Sequence, residues 1–204
     1  DIDDAVAVLQ RGGLVALPTE TVYGLAGDAS DPLAIRQIYA TKGRPAGHPV
    51  IVHMAHDADL SVIAQTDDRA RALAAAFWPG PLTLILPKQA DVPDEVTGGL
   101  QTVGIRVPAH PMTQAVLARF PRGLAAPSAN RFGRVSPTTA QHVVDEFAGA
   151  VPVLDGGPCD VGIESTIVDL TQSRAAMLRP GAILPSDIEA IVGPLTTSDT
   201  KAPG

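Results

Sequence analysis

Aromatic residues are scarce in this chain, at 3% of 204 residues. A core must therefore be assembled from Ala, Val, Leu and Ile, and the apolar fraction of 45% is enough for one large domain. Cysteine is nearly absent. The single Cys159 rules out an internal disulfide and points to a reducing, cytoplasmic setting. No apolar run approaches the ~20 residues of a membrane span, and no signal-peptide pattern opens the chain at Asp1. Positive charge is also in deficit, with 15 Lys and Arg against 22 Asp and Glu and a net charge of −7. That balance argues against a general nucleic-acid coat but leaves room for a local basic pocket.

Several motifs are missing too. There is no GxGxxG, no GxxxxGK[ST] and no GxSxG, so the dinucleotide fingerprint, the P-loop and the nucleophile elbow are all excluded. His48, His53 and His56 are close in sequence, but their spacing does not fit one helix face and Pro49 interrupts them, so no protein metal site is predicted. Cys159, in "DGGPCDVG", has no basic neighbour in sequence and reads as an inert buried thiol.

What is present is a regular alternation of elements punctuated by 19 Gly and 19 Pro. Asp3 or Asp4 can cap a first helix, stopped by Gly12-Gly13. Asp31-Pro32 opens a helix through Tyr39, residues 67–78 form an Ala-rich helix, and residues 110–119 form another. Ser136-Pro137 is expected to open a helix ending at Phe147, and Ser186 to cap the last one. Strands are expected at 14–18, 49–54, 82–87, 102–108 and 124–127, with loop between 87 and 102. "VPVLD", "STIVDL" and "AAMLRP" read as further strands, the last two joined by a hairpin-like turn at "TQSR". Some strands follow each other without a helix, which predicts a mixed sheet rather than a purely parallel one.

Polar clusters fall where these strands end: "PTETVYG", "KGRPAGHP", "IRVPAHP", "APSANRFGRVSP", "GIESTIVD" and "LRPG". Loops at strand ends are where sheet proteins build sites. Lys42 and Arg44, expected on a loop, join Arg106 and Arg179 as fixed cations, with Thr19, Thr21, Ser128, Asn130, Ser136, Ser165 and Thr166 as short hydrogen-bonders. Arg matches carboxylate or phosphate in a bidentate fork, and Lys acts as a point charge. The set suits a highly charged anion such as ATP and does not suit a Ser-His-Asp triad. Glu20 reads equally as a capping, ion-pairing or proton-transfer residue.

In this order the clusters resemble the YrdC/Sua5 family of L-threonylcarbamoyladenylate synthases. "PTETVYGLAGDA", "KGRPAGHPVIVH", "WPGPLTLIL", "VGIRVPAHP", "APSANRFGRVSPT", "GIESTIVD" and "LRPGAI" carry the resemblance across about residues 10 to 185. It implies an α/β fold: a YrdC-like twisted mixed parallel/antiparallel sheet, flanked by helices, around a concave, positively charged cavity. It implies a nucleotidyltransferase reaction in which L-threonine, bicarbonate and ATP, with Mg²⁺, give threonylcarbamoyl-AMP and pyrophosphate. The product would pass to a threonylcarbamoyl-transferase complex that modifies adenosine 37 of tRNA. Carried over residue by residue, the catalytic pair is Lys42 and Arg44. ATP would meet Lys42, Arg44, His48, Thr102, Ser128, Asn130, Ser136 and Arg179; L-threonine would meet Thr21, His53, Arg106, Ala126 and Ser165. His48 departs from the Asn that many relatives carry. Residues 1–194 are expected to form the catalytic domain, with 195–204 a tail that resembles the start of a linker to a further domain closing over the pocket. Two other readings stay open within the resemblance: a double-stranded RNA-binding or ribosome-maturation protein, and the carbamoyl-transfer module of a larger protein.

Overall fold

In the computed structural model, which describes residues 1–196 and Pro203, the first helix is α1 (Ile2–Gln10). Its cap is Asp1 rather than Asp3 or Asp4. The Asp1 carboxylate accepts from the Asp4 N–H while the Asp4 side chain returns to the Asp1 backbone, a reciprocal capping box. Strands β1 (Val15–Leu17) and β2 (Gly24–Asp28) then form an antiparallel pair. The sequence reading missed β2 because its two glycines have little strand propensity. Gly27 is there for close packing: a Cβ would lie 2.9 Å from a Leu14 methyl and 3.2 Å from one of Ile38.

Helix α2 (Pro32–Lys42) is capped by Asp31 as expected, but it runs past Tyr39 to Lys42 and stops at Gly43, whose φ is 62°. Lys42 is thus the last helical residue and not a loop residue, because only Gly43 can take the left-handed turn that ends the helix. The chain continues through β3 (Ile51–His53), α3 (Asp68–Phe77), β4 (Leu82–Pro87), α4 (Asp94–Thr97) and β5 (Thr102–Arg106). The one-turn α4 replaces part of the expected loop. Next come α5 (Pro111–Leu117), β6 (Leu124–Ala125), α6 (Ala140–Phe147), β7 (Thr166–Asp169), β8 (Ala176–Arg179) and α7 (Pro185–Val192).

Three further expectations are corrected. Helix α6 is capped by Thr139, whose hydroxyl accepts from the His142 N–H, so Ser136-Pro137 stays in the preceding loop. "VPVLD" contributes a single bridge, Ala16 to Val153, not a strand. The cap position of α7 is Leu184, and Ser186 lies within its first turn behind Pro185. The hairpin at "TQSR" is present, joining antiparallel β7 and β8. The tail reading for 195–204 lies outside the described residues except for Leu195, Thr196 and Pro203. Thr196 donates its N–H to the Ala175 carbonyl at 2.9 Å, so the chain is still tied to the sheet edge there.

The eight strands form one mixed sheet in the order β1-β2-β6-β3-β5-β4-β7-β8. β3/β5 and β4/β7 are parallel; the other pairs are antiparallel. Alternation along the central strands separates two faces. Val52, Leu84, Val103, Ile105 and Val168 enter the main core with Ile35, Ile38, Leu73 and Ile188 from the helices. A second cluster packs α1 and α5 on β1 and β6. On the opposite face of the central strands the buried apolar side chains of Ile51, Ile85 and Ile167 form a small separate patch. No helix among the described residues is long and apolar enough to cross a membrane.

Candidate functional site

Strand register builds the site. Arg106 on β5 is opposite His53 on β3 and Thr83 on β4, Thr83 is opposite Ile167 on β7, and Ile167 is opposite Arg179 on β8. Paired residues share a face, so His53, Arg106, Thr83 and Arg179 form one row across the sheet. The adjacent row is Ile51, Gly104 and Ile85. Gly104 leaves that row open: a Cβ there would come 3.2 Å from Ile85 and 3.4 Å from Ile51.

At one end of the row Arg106 is 3% exposed. Its guanidinium donates to Glu20 Oε1 at 2.6 Å, Thr21 Oγ1 at 2.7 Å and the Gly80 carbonyl at 3.3 Å. The other Glu20 oxygen accepts the Ala109 N–H at 2.9 Å. A turn places these groups, in which Thr19 Oγ1 accepts the Val22 N–H and donates to the Val22 carbonyl at 2.6 Å. His53 is buried beside this pair. Burial first, and then the Arg106 charge, hold its imidazole well below its ordinary pKa, so it is neutral at pH 7.

Toward the other end, Ser165 Oγ shares a hydrogen with Thr83 Oγ1 at 2.7 Å and accepts from Arg179 Nη2 at 3.0 Å. Arg179 Nε also donates to the Ser165 carbonyl at 3.0 Å. Glu164 continues the chain of contacts, accepting Ser136 Oγ at 2.7 Å and lying 3.5 Å from Arg179.

The third group sits above the end of α2. Lys42 is 2% exposed, and its ammonium donates to the carbonyls of Ser128 and Asn130, the latter at 2.6 Å. Burial lowers its pKa from 10.5 to about 8, the Arg44 charge adding in the same direction. Arg44 donates to the Pro49 carbonyl at 2.9 Å and lies over the Phe132 ring at 5.9 Å, which in turn meets His48 edge-on at 5.4 Å. Among the described residues Arg44 Nε and Asn130 Oδ1 are buried without a hydrogen-bond partner. Each such group carries a desolvation cost that a ligand can relieve.

The structure therefore gathers twelve of the thirteen residues of the sequence reading into three neighbouring groups: Thr21, His53, Arg106 and Ala126; Ser165, Ser136 and Arg179; and Lys42, Arg44, His48, Ser128 and Asn130. Ala126 adjoins the first only through the β3 backbone, donating its N–H to the Ile51 carbonyl at 3.0 Å, while its side chain packs in the second apolar cluster. Thr102 stands apart. It shares the face of Arg106 but lies four residues away on β5, about 13 Å at strand rise, and lines a separate cavity of about 390 Å³ with Ile85, Asp169 and Arg174. Sequence reasoning left out Glu164 and Thr83 and gave Glu20 no fixed role. The two carboxylates lay inside quoted motifs, but pairing with cations shows only once β5 and β8 are in register. Cys159, read from sequence as a buried thiol, is only partly buried, and that partial burial pushes its thiol up to about 11.

Buried cations and hydroxyls beside a mixed sheet make this an α/β domain with a setting suited to an anion. The comparisons are more specific. The profile of the Sua5/YciO/YrdC family, described as "Telomere recombination", matches residues 7–181, and the chain belongs to that family. It is 44% identical over 211 residues to the threonylcarbamoyl-AMP synthase of Pyrococcus abyssi, covering 98% of this chain and 62% of that one. With the Bacillus subtilis protein of the same name the identity is 43% over 197 residues, covering 95% and 57%. The crystal structure of P. abyssi Sua5 complexed with L-threonine superposes with a TM-score of 0.93 at 45% identity, over 97% of this chain and 58% of that one. The chain thus spans about three-fifths of the length of these relatives.

Proposed function

We propose that residues 1–194 are the catalytic domain of an L-threonylcarbamoyladenylate synthase, an ATP-dependent nucleotidyltransferase serving tRNA modification. The observation that carries this reading is the shared sheet row. It puts Thr21, His53, Arg106 and Ser165 next to Ser136 and Arg179, in a chain 45% identical to a protein whose structure holds L-threonine.

In this reading the L-threonine carboxylate joins Arg106. Thr21 and Glu20 already fix the plane of that guanidinium, so little side-chain order is lost on binding. His53, neutral, offers a hydrogen bond without adding charge. Two chemical steps follow. The free threonine amine bonds to the carbon of bicarbonate with loss of water, or to the carbon of CO₂ with loss of a proton, giving a carbamate. A carbamate oxygen then attacks the α-phosphorus of ATP, the α–β phosphoanhydride breaks, and pyrophosphate leaves with its electron pair. No protein nucleophile is needed. Lys42, Arg44, Ser136 and Arg179 hold the triphosphate and stabilise charge on the leaving pyrophosphate. Among the described residues no three His, Cys, Asp or Glu side chains are placed to hold a metal ion, so Mg²⁺ would enter on the phosphates.

The test is pyrophosphate release with each substrate omitted in turn. Release that requires ATP, L-threonine and bicarbonate together supports the reading. Release that persists without L-threonine overturns it.

A further inference from the structure

Glu164 is a carboxylate set among cations. It follows Gly162, whose φ is 72°, on an irregular stretch leading into β7. One oxygen accepts from Ser136 Oγ at 2.7 Å, and the other lies 3.5 Å from Arg179. Ser136 belongs to the loop before α6 and Arg179 to β8, so this one side chain ties that loop to the sheet. Its negative charge also offsets the desolvation of Lys42, Arg44 and Arg179. Yet it is not locked in place: 34% of the side chain is exposed, and its neighbour Ile163 is 53% exposed, so no packed core opposes a turn outward.

We propose that Glu164 is the internal counter-ion of the anion site, holding Ser136 and Arg179 until an incoming polyphosphate displaces it. An anion that reaches only those two groups replaces one negative charge by another and gains little. A longer polyphosphate also reaches Lys42 and Arg44, whose bonds Glu164 does not contest. The carboxylate therefore selects for phosphate chain length and reclaims its partners once that chain is cut, which favours release of the shorter product. Identifying the polyanion as ATP rests on the proposed function; the counter-ion role itself does not.

The test uses Glu164→Gln, which keeps the side-chain length and an acceptor for Ser136 while removing the charge. Binding of inorganic pyrophosphate and of ATP is measured by calorimetry on wild type, on the variant, and on Asp68→Asn as a control. Asp68 is 99% exposed on α3 and pairs only with Arg71. Pyrophosphate should bind Glu164→Gln at least about tenfold more tightly than wild type, ATP should gain less, and Asp68→Asn should change neither beyond about twofold. Pyrophosphate affinity that is unchanged or weaker in Glu164→Gln overturns the proposal, whatever ATP does. A gain for pyrophosphate with no ATP binding to any form would sustain the counter-ion and sink the nucleotide reading. Wild-type protein gives an independent check through the ¹³C carboxyl resonance of Glu164. Saturating pyrophosphate should shift it as Arg179 is lost; an unmoved resonance also refutes displacement.

Discussion

Lys42 gives a stability prediction with a definite sign. Its ammonium is buried against two carbonyls, and its pKa falls from 10.5 to about 8. The folded-state value is depressed, so the native protein releases this proton at lower pH than the unfolded chain does. At pH 7 the full cost of burying the charge is present, and it is relieved as pH rises from about 8 toward 10.5. The whole shift corresponds to ~3 kcal/mol, of which about 2 kcal/mol is regained by pH 9.5. Both carbonyl bonds survive deprotonation, because a neutral amine keeps two N–H donors. Lys42→Met removes the titration while filling the same space. Urea unfolding of both proteins at pH 7, 8, 9 and 9.5 isolates the Lys42 contribution as their difference. Tyr23 and Tyr39, both raised above 10.0, are common to the two proteins and largely cancel. The wild type should gain about 2 kcal/mol on the variant across this range. A flat difference, or one that falls with pH, would refute the burial argument for Lys42.

Arg106→Ala should cost ~3–5 kcal/mol in urea unfolding, because it leaves the Glu20 carboxylate buried and unpaired. Adding Glu20→Gln should recover part of that loss; no recovery would mean that the two are not coupled. Arg44→Ala should lower pyrophosphate release by about 10²-fold or more with little change in thermal midpoint, since its hydrogen bond is to the Pro49 carbonyl and its ring contact is the half-exposed Phe132. Near-normal turnover would remove Arg44 from the phosphate role. Cys159, with its thiol pushed to about 11, should react with iodoacetamide at pH 8 at least about 100-fold more slowly than free cysteine, and alkylation at the free rate would show that the thiol is not shielded.

The sheet was legible where strands carried branched apolar runs, as in "LTLILP", bounded by Pro81 and Pro87, and "STIVDL". It was not legible at β2, where Gly27 serves the close approach of Leu14 and Ile38. Caps were misplaced by two or three residues: at α1 and α6 because Asp, Ser and Thr near a helix start compete for the same role, and at α7 because Pro185 takes the first helical position. The cations and hydroxyls of the site could be picked out by type and by motif. Their counter-charges could not, because Glu20 meets Arg106 across 86 residues and Glu164 meets Ser136 across 28. Lys42 was legible as a candidate site residue but not as a helical one. Its burial, and hence its titration, follows from a helix that continues to Gly43.

The account depends most directly on the identity of the product. Incubation of the protein with ATP, L-threonine and ¹³C-bicarbonate, followed by rapid mass spectrometry, reads it without a coupled enzyme. The expected result is threonylcarbamoyl-AMP carrying one ¹³C, formed with one pyrophosphate for each ATP consumed and diminished when Lys42 or Arg44 is replaced. Consumption of ATP to AMP and pyrophosphate with no ¹³C-labelled threonylcarbamoyl adenylate, or no ATP consumption under any combination of the three substrates, would contradict it.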